Sequence, residues 1–463
     1  MSGASGRRQL SAGAAEPAGS ARPPLPPGPY LVVGLGRSGR AVAELLREHG
    51  RVVAYDADPA LAGADELASG VEVHLGGDGR ELVAGVHTVV KSPGVPRNAP
   101  VVVEALRSGR TVIGELELAW RLLPNECWAV TGTNGKTTTV ELLAAILRAA
   151  GREAVTAGNV GRPLAALVGR VGREATLVVE ASSFQIEDAL AFRPDCALLL
   201  NLGVDHLDRH GTVAAYHRAK LRLFEHQGPS AVAVAPVGVA IPGGGRRVAF
   251  GPAGSGAELE FSEEGLRWHG ELVVARSGIR LRGRHNLENA AGAAAAALAC
   301  GVPAESLVAA LGSFQGVPHR LEEVARIGGV LFVNDSKATN VESTVRALES
   351  FPDGGLHLIA GGRPKGGGFR ALRPLVAERC RAVYAVGEAS EELVRDLGDC
   401  VAVERCGTLE RAVERALARA RPGETILLSP ACASFDQFRD FEARGERFKE
   451  LVRRLSAGAS PVA

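Results

Sequence analysis

The chain has 463 residues, a formal net charge of +1, and 46% hydrophobic against 23% charged residues. This length suits about three domains, and the near-neutral balance leaves no basic field for a nucleic acid or a membrane surface. No apolar run reaches the ~20 residues of a membrane span. Seven scattered cysteines without a C-x-x-C pair argue against a disulfide frame or structural zinc and for a reducing cytoplasm.

Residues 1–28 are rich in Gly, Ala, Ser and Pro and lack an apolar h-region, so a disordered tail is expected there rather than a signal peptide. Tyr30-Leu31-Val32-Val33 opens a strand, followed by Gly34-Leu35-Gly36-Arg37-Ser38-Gly39 and a helix. A second strand, Arg51–Tyr55, ends in Asp56, about 20 residues on, as in a dinucleotide fingerprint. A glycine fingerprint alone also serves tight strand–helix packing and other phosphorylated ligands. With Val89-Val90-Lys91-Ser92-Pro93-Gly94 and Thr111–Gly114, it defines a Rossmann-like first domain over 29–112.

A second domain, 113–316, begins with strand Cys127–Val130 and the turn Thr131-Gly132-Thr133-Asn134-Gly135-Lys136-Thr137-Thr138. Leu142, Leu143, Ile146 and Leu147 then recur at helical spacing. Such a turn aims backbone N–H groups and a helix N-terminus at one phosphate. Lys136 would reach the terminal phosphates and the Thr137 hydroxyl would meet Mg²⁺. Val130 stands where the usual P-loop has its first glycine, so the loop is a shortened relative. Parallel strands are expected at 154–156, 177–180 and 196–200, and antiparallel hairpins over about 231–284. A third domain, 317–463, alternates strands at 330–333, 356–360, 382–386 and 425–428 with helices, as in a doubly wound Rossmann-like sheet. The fold class is thus α/β in three domains: Rossmann-like, P-loop ATPase-type with antiparallel hairpins, and Rossmann-like again.

Ligands of open α/β sheets collect at strand carboxyl ends, where several polar residues of this chain fall. Glu180 is either a buried helix-capping acid or, beside a P-loop, a second ligand for the Mg²⁺. Asp205, His206 and Asp208 follow the next strand and by themselves read as loop polarity. Lys220 by itself reads as a surface charge, and Asn286 with Asn289, three apart on one helical face, as amides that read a base edge or simply cap the helix. Arg320 on the linker is a phosphate clamp or an interdomain salt bridge. Cys432, with no histidine base evident, reads as packing. Only six of the 53 Lys+Arg residues are lysine: 91, 136, 220, 337, 365 and 449. Where arginine serves as the general surface cation, a retained lysine marks a place for a slim, deprotonatable amine; coding bias is the bland alternative.

Together these segments resemble the Mur ligases, ATP-dependent amide-forming enzymes of peptidoglycan precursor synthesis. The resemblance rests on Thr131–Thr137, on Glu180 with Ser182-Ser183-Phe184-Gln185, on Asp205-His206-Leu207-Asp208 and on His285-Asn286 with Asn289. Asn334-Asp335-Ser336-Lys337-Ala338-Thr339-Asn340 and Ser429–Asp436 resemble the D-glutamate-adding member, and the Asn-Pro-Arg signature of the diamino-acid-adding sibling is absent from the sequence. The resemblance covers about 29–455 and implies a ligase consuming ATP with Mg²⁺ at two sites, joining D-glutamate to UDP-N-acetylmuramoyl-L-alanine. Lys136, Glu180, His206 and Lys220 become catalytic. Thr137, Glu180, His206 and Lys220 become metal-holding, with a CO₂-derived carbamate on Lys220. ATP falls to Gly132–Thr138, Asn286, Asn289, Arg320 and Asp335; the UDP-substrate to Gly36, Ser38, Asp56, Asn159 and His206. D-glutamate falls to Lys337, Thr339, Lys365, Ser434, Phe435 and Phe441. The second strand lacks the Thr-Arg that some relatives carry after its acid. The same reading expects a cytoplasmic monomer with no nucleic-acid partner. A dehydrogenase on Gly34–Gly39 and a nonenzymatic nucleotide sensor are the alternatives, discriminated by NAD(H) binding and by ATP turnover.

Overall fold

The computed structural model describes residues 22–63, 67, 69–281 and 283–458, apart from the side chains of residues 208, 457 and 458. Three sheets organise it. The first is all parallel, in the order Val71–Leu75, Val52–Asp56, Tyr30–Val33, Thr88–Lys91, Thr111–Gly114. Its inner strands are buried on both faces, which is why they read as unbroken apolar runs rather than alternating ones. Chain order reverses between Tyr30–Val33 and Thr88–Lys91, so the glycine turn 34–39 and the turn 92–95 open side by side at a switch point.

The central sheet has nine strands. Their order is Glu271–Ala275, Gly265–Trp268, Leu259–Ser262, Arg246–Pro252, Val232–Pro236, Cys196–Leu199, Cys127–Thr131, Thr176–Glu180, Ala154–Gly158. The hairpin expectation over 231–284 holds only in part. The last three strands there pair antiparallel, but Val232–Pro236, Arg246–Pro252 and Leu259–Ser262 run parallel and extend the P-loop sheet. Short connections such as the one at 237–245 disguised these parallel neighbours as hairpins. The third sheet runs Glu322–Ile327, Val330–Asn334, Thr425–Leu428, Leu356–Gly361, Cys380–Val386, Val403–Gly407, with only the first strand antiparallel.

Helix Arg284–Ala299 lies close against the central sheet because its face is alanine: Ala290, Ala291 and Ala293 to Ala297 are all buried. A methyl on Gly292 would already touch Leu200 at 3.1 Å. The P-loop helix Lys136–Ala149 packs on the same face, through Leu142, Leu143, Ile146 and Leu147. On the opposite face the first two sheets share one apolar core, in which Val32 and Leu46 meet Trp120, Ala129, Val179 and Leu199 by way of helix Glu115–Leu122. The third sheet keeps separate cores on its two faces. Of the tail expected over 1–28, residues 1–21 lie outside the described residues. Residues 22–28 are not a loose tail: Arg22 donates to Trp120 O and Asn125 O and covers the Trp120 ring, Arg121 donates to Pro24 O, and Tyr30 donates to Pro26 O. Proline removes backbone donors without preventing a chain from being pinned through its carbonyls.

Candidate active site

The turn after Cys127–Thr131 reaches its helix through Gly135, at φ +84°, where a Cβ would fall 2.0 Å from Asn289 Oδ1. Only glycine fits there, because the backbone is left-handed and another side chain occupies the space. Lys136 folds over the turn, donating to Gly132 O at 2.9 Å and Thr133 O at 3.0 Å. Thr137 stands half-buried beside it in the first helical turn. Burial lowers the Lys136 pKa; Glu180 and Asp205 oppose that effect, while Arg320 and Lys337 add to it.

Glu180 ends strand Thr176–Glu180, 3% exposed. It is not a helix cap, because Ser182 and Gln185 form the capping box of the following helix. Its Oε1 accepts from Asn159 Nδ2 at 3.1 Å, while its buried Oε2 has no hydrogen-bond partner. A buried, unpartnered carboxylate oxygen is costly unless a cation supplies the missing interaction. That orphaned oxygen fits Mg²⁺, with Thr137 and phosphate completing the hard-oxygen set. Among the described residues no three His, Cys, Asp or Glu gather as a ready-made metal cage. Protein-poor ligation is what Mg²⁺ accepts, since it keeps waters and substrate oxygens.

Lys220 is not the surface charge that it resembles when taken alone. It is 1% exposed, donates to Gly132 O at 2.9 Å, and lies 4.2 Å from the Tyr216 ring centre. Burial, with the Lys136 charge adding and Asp205 opposing, lowers its pKa to about 7. His206 is the first residue of the next turn, at φ +50°, about half-exposed, edge-on to Phe184 at 4.8 Å. The Asp208 side chain lies outside the described residues.

A cavity of about 200 Å³ separates the central and third domains. Asn134, Gly135, Asn289, Arg320, Asp335 and Lys337 line it. Asn289 donates to Asn286 Oδ1 at 3.3 Å, so these amides bond to each other rather than cap their helix. Asp335 accepts from Ser429 Oγ at 2.8 Å and Leu321 N at 3.3 Å, and burial lifts its carboxyl to about 7 against those bonds and Arg320. His285, also in the wall, is pulled down to about 4 by burial, with Arg320 and Arg346 adding, and is therefore neutral.

In the third domain Lys365 Nζ lies 3.4 Å from Thr339 Oγ1, and the Lys337 amine 5.8 Å from the Phe441 ring centre. Ser434 is buried, whereas Phe435 is 63% exposed. Burial pushes the Cys432 thiol up to about 12, in keeping with packing rather than nucleophilic use. At the first sheet's switch point a cavity of about 350 Å³ gathers Gly36, Ser38, Asp56, Asn159 and Gln185 with the 92–95 turn. Both Asp56 oxygens accept from backbone there, from Leu35 N at 2.7 Å and Asp58 N at 3.0 Å. Asn159 touches both this cavity and Glu180.

Two residues important to this geometry escaped sequence reasoning. Asn201 Oδ1 accepts from Thr133 N and Asn134 N at 3.0 and 2.9 Å, and its Nδ2 donates to Asn134 O at 3.1 Å, stapling the phosphate turn to the next strand's end. Its position at a strand carboxyl end was the available signal. Arg444, 2% exposed, donates to Ser336 O, Cys432 O and Ser336 Oγ, tying together the loops around Ser434. Among the neighbouring arginines 439 and 447 nothing in the sequence marks it.

The chain matches the models of three consecutive domains: Mur ligase MurD-like, N-terminal domain (residues 29–114), Mur ligase middle domain (130–297), and Mur ligase, glutamate ligase domain (319–432). It is 42% identical to the UDP-N-acetylmuramoylalanine–D-glutamate ligase of Acidobacterium capsulatum, covering 91% of this chain and 95% of that one. The proteins of the same name from Geobacter metallireducens (42%; 93% and 98% covered) and Anaeromyxobacter dehalogenans (44%; 91% and 96%) are similarly close. Among solved structures, UDP-N-acetylmuramate-alanine ligase MurC of Thermotoga maritima matches with TM-score 0.56 at 19% identity, covering 93% of this chain and 99% of that one. MurF ligase of Thermotoga maritima in complex with ADP matches with TM-score 0.55 at 20% identity, covering 81% and 96%. These structures share the fold. With three domain models in order and relatives above 40% identity along nine-tenths of its length, the chain belongs to the Mur ligase family.

Proposed function

We propose that this protein is an ATP-dependent ligase that joins D-glutamate to UDP-N-acetylmuramoyl-L-alanine in peptidoglycan precursor synthesis. The observation that carries the reading is the likeness over at least 91% of the chain to relatives bearing that name. In the reaction the L-alanyl carboxylate attacks the ATP γ-phosphorus and ADP departs, leaving an acyl phosphate. The D-glutamate amine then adds to that carbonyl, and the tetrahedral intermediate expels phosphate. Such chemistry asks the protein for positioning and charge neutralisation rather than covalent participation.

Lys136 would offset the migrating phosphoryl charge, with Arg320 facing the phosphates, Asp335 the ribose and Asn286 with Asn289 the adenine. Thr137 and Glu180 would hold one Mg²⁺, and His206 with carbamylated Lys220 a second; bound there, Mg²⁺ neutralises phosphate charge. Burial supports the carbamate: with its pKa lowered to about 7, Lys220 is substantially a neutral amine at neutral pH, the form that adds to CO₂. The second site would depend on that conversion, since among the described residues the carboxylate paired with His206 is that of neighbouring Asp205.

The switch-point cavity would take the UDP-substrate, with Gly36, Ser38 and Asp56 at the nucleotide and Asn159 and His206 toward the muramoyl-alanine. The pocket held by Arg444 would take D-glutamate, whose carboxylates Lys337 and Lys365 would offset beside Thr339, Ser434, Phe435 and Phe441. We take the enzyme to be a cytoplasmic monomer with domains near 29–112, 113–316 and 317–463. The purified protein should release ADP and phosphate when given all three substrates. Release with a different acceptor or amino acid but not with these would assign it to another ligase of the family, and ATP binding without turnover would make it a sensor.

A further inference from the structure

The turn 92–95 of the first domain is gripped through its carbonyls by a side chain of the central domain. Arg209 donates to Pro93 O at 3.0 Å and Val95 O at 2.9 Å, with Gly94 O at 3.4 Å. Pro93, Gly94 and Val95 line the switch-point cavity. The same guanidinium lies over the Phe184 ring, 4.2 Å from its centre. Phe184 precedes Gln185, another wall of that cavity, and it packs edge-on against His206 and stacks on His210 at 5.4 Å. Beyond His206 comes Tyr216 at 6.1 Å, and over Tyr216 the Lys220 amine.

The backbone that carries His206 is not favoured locally. It is left-handed at φ +50°, a conformation unfavourable for a residue with a Cβ. The helix that His206 opens, Leu207–His210, is one turn long, too short to be stable alone. What holds this turn includes the Arg209 grip on another domain. Arginine suits that role because its planar fork serves two carbonyls at once, where a lysine serves them as a single point charge.

We propose that Arg209 is a positioning residue that makes the orientation of His206 depend on the substrate-holding turn 92–95, so that filling the first domain's cavity sets the phosphoryl-transfer side of the central domain. This rests on the reading above for which substrate fills the cavity. The test uses full-length wild type, Arg209→Ala and Arg209→Lys, with steady-state kinetics by ADP release. It also follows the ¹⁵N-labelled His206 imidazole signal, assigned through His206→Asn, while UDP-N-acetylmuramoyl-L-alanine or UDP alone is added. In Arg209→Ala, kcat should fall about tenfold or more while KM for ATP stays within about twofold. The ligand-induced His206 shift should vanish, and Arg209→Lys should restore part of both. Kinetic constants all within about twofold of wild type, or a His206 shift that survives in Arg209→Ala, would overturn the proposal. So would a uniform loss that includes ATP binding and that lysine does not relieve. If wild type does not turn over this acceptor, the acceptor assignment fails; the Arg209 proposal then stands or falls on whether the His206 shift caused by UDP requires Arg209.

Discussion

At the scale of single residues, Lys220 shows how burial changes what a side chain can do. In a helix at the surface its amine would stay charged; packed on Tyr216 and against Gly132 O, its pKa falls to about 7. A lowered lysine pKa means that the unfolded chain binds more protons between about 7 and the ordinary lysine value of 10.5, so this group's contribution to stability rises with pH across that window. The same shift sets reactivity, since below about pH 7 the amine is protonated and cannot add to CO₂. Bicarbonate should therefore raise activity above that pH and lose its effect below it, as followed by ADP release across pH. Lys220→Ala should lose about 10²–10³-fold in kcat, and short carboxylic acids should restore part of it. Absence of any rescue would count against the carbamate.

At the scale of elements, the strand–turn–helix unit around Lys136 was legible because its determinants are contiguous: a strand, two glycines, a lysine and helical apolar spacing. Its constraints are nonetheless tertiary. Gly135 is required both by its left-handed backbone and by Asn289, which arrives from a helix more than 150 residues away in sequence. Gly135→Ala should displace Asn289 and weaken ATP binding by about tenfold or more, since strain of about 1–2 kcal/mol at φ +84° adds to the clash. Calorimetric titration with ATP checks this, and unchanged affinity would show that the turn relaxes freely. Within 231–284 the antiparallel pairs are legible and the parallel ones are not, for a related reason: pairing direction depends on where a strand docks, and turn-rich spacing does not encode it.

For the whole molecule, the first two domains are joined more firmly than the boundary near 112 implies. They share an apolar core, and Lys91 and Asp188 meet across them at 2.6 Å with side chains 0% and 2% exposed. Burial lowers the Lys91 pKa and raises that of Asp188, each opposed by the other's charge. Lys91→Met would leave the buried carboxylate with only the more distant Arg97, at 3.9 Å, and should cost about 3–5 kcal/mol, measured by denaturant unfolding. Adding Asp188→Asn should recover much of the loss; an equally unstable double variant would assign the effect to packing. The third domain keeps its own cores and meets the central domain across the cavity lined by Asn134, Asn289 and Arg320.

The sequence by itself determined the α/β class, the three-sheet succession and the contiguous motifs, because strand burial, helical spacing and glycine turns are local properties of the chain. It also ranked Lys136 and Lys220 through the scarcity of lysine. Tertiary structure alone decided that Glu180 leaves one buried oxygen unpartnered, that Arg320, Asp335 and Lys337 line one cavity with Asn134 and Gly135, and that Arg209 and Arg444 clasp loops through their carbonyls. In a chain with 47 arginines the difference between a solvated cation and a buried clamp lies in which carbonyls surround it, and those carbonyls come from distant segments.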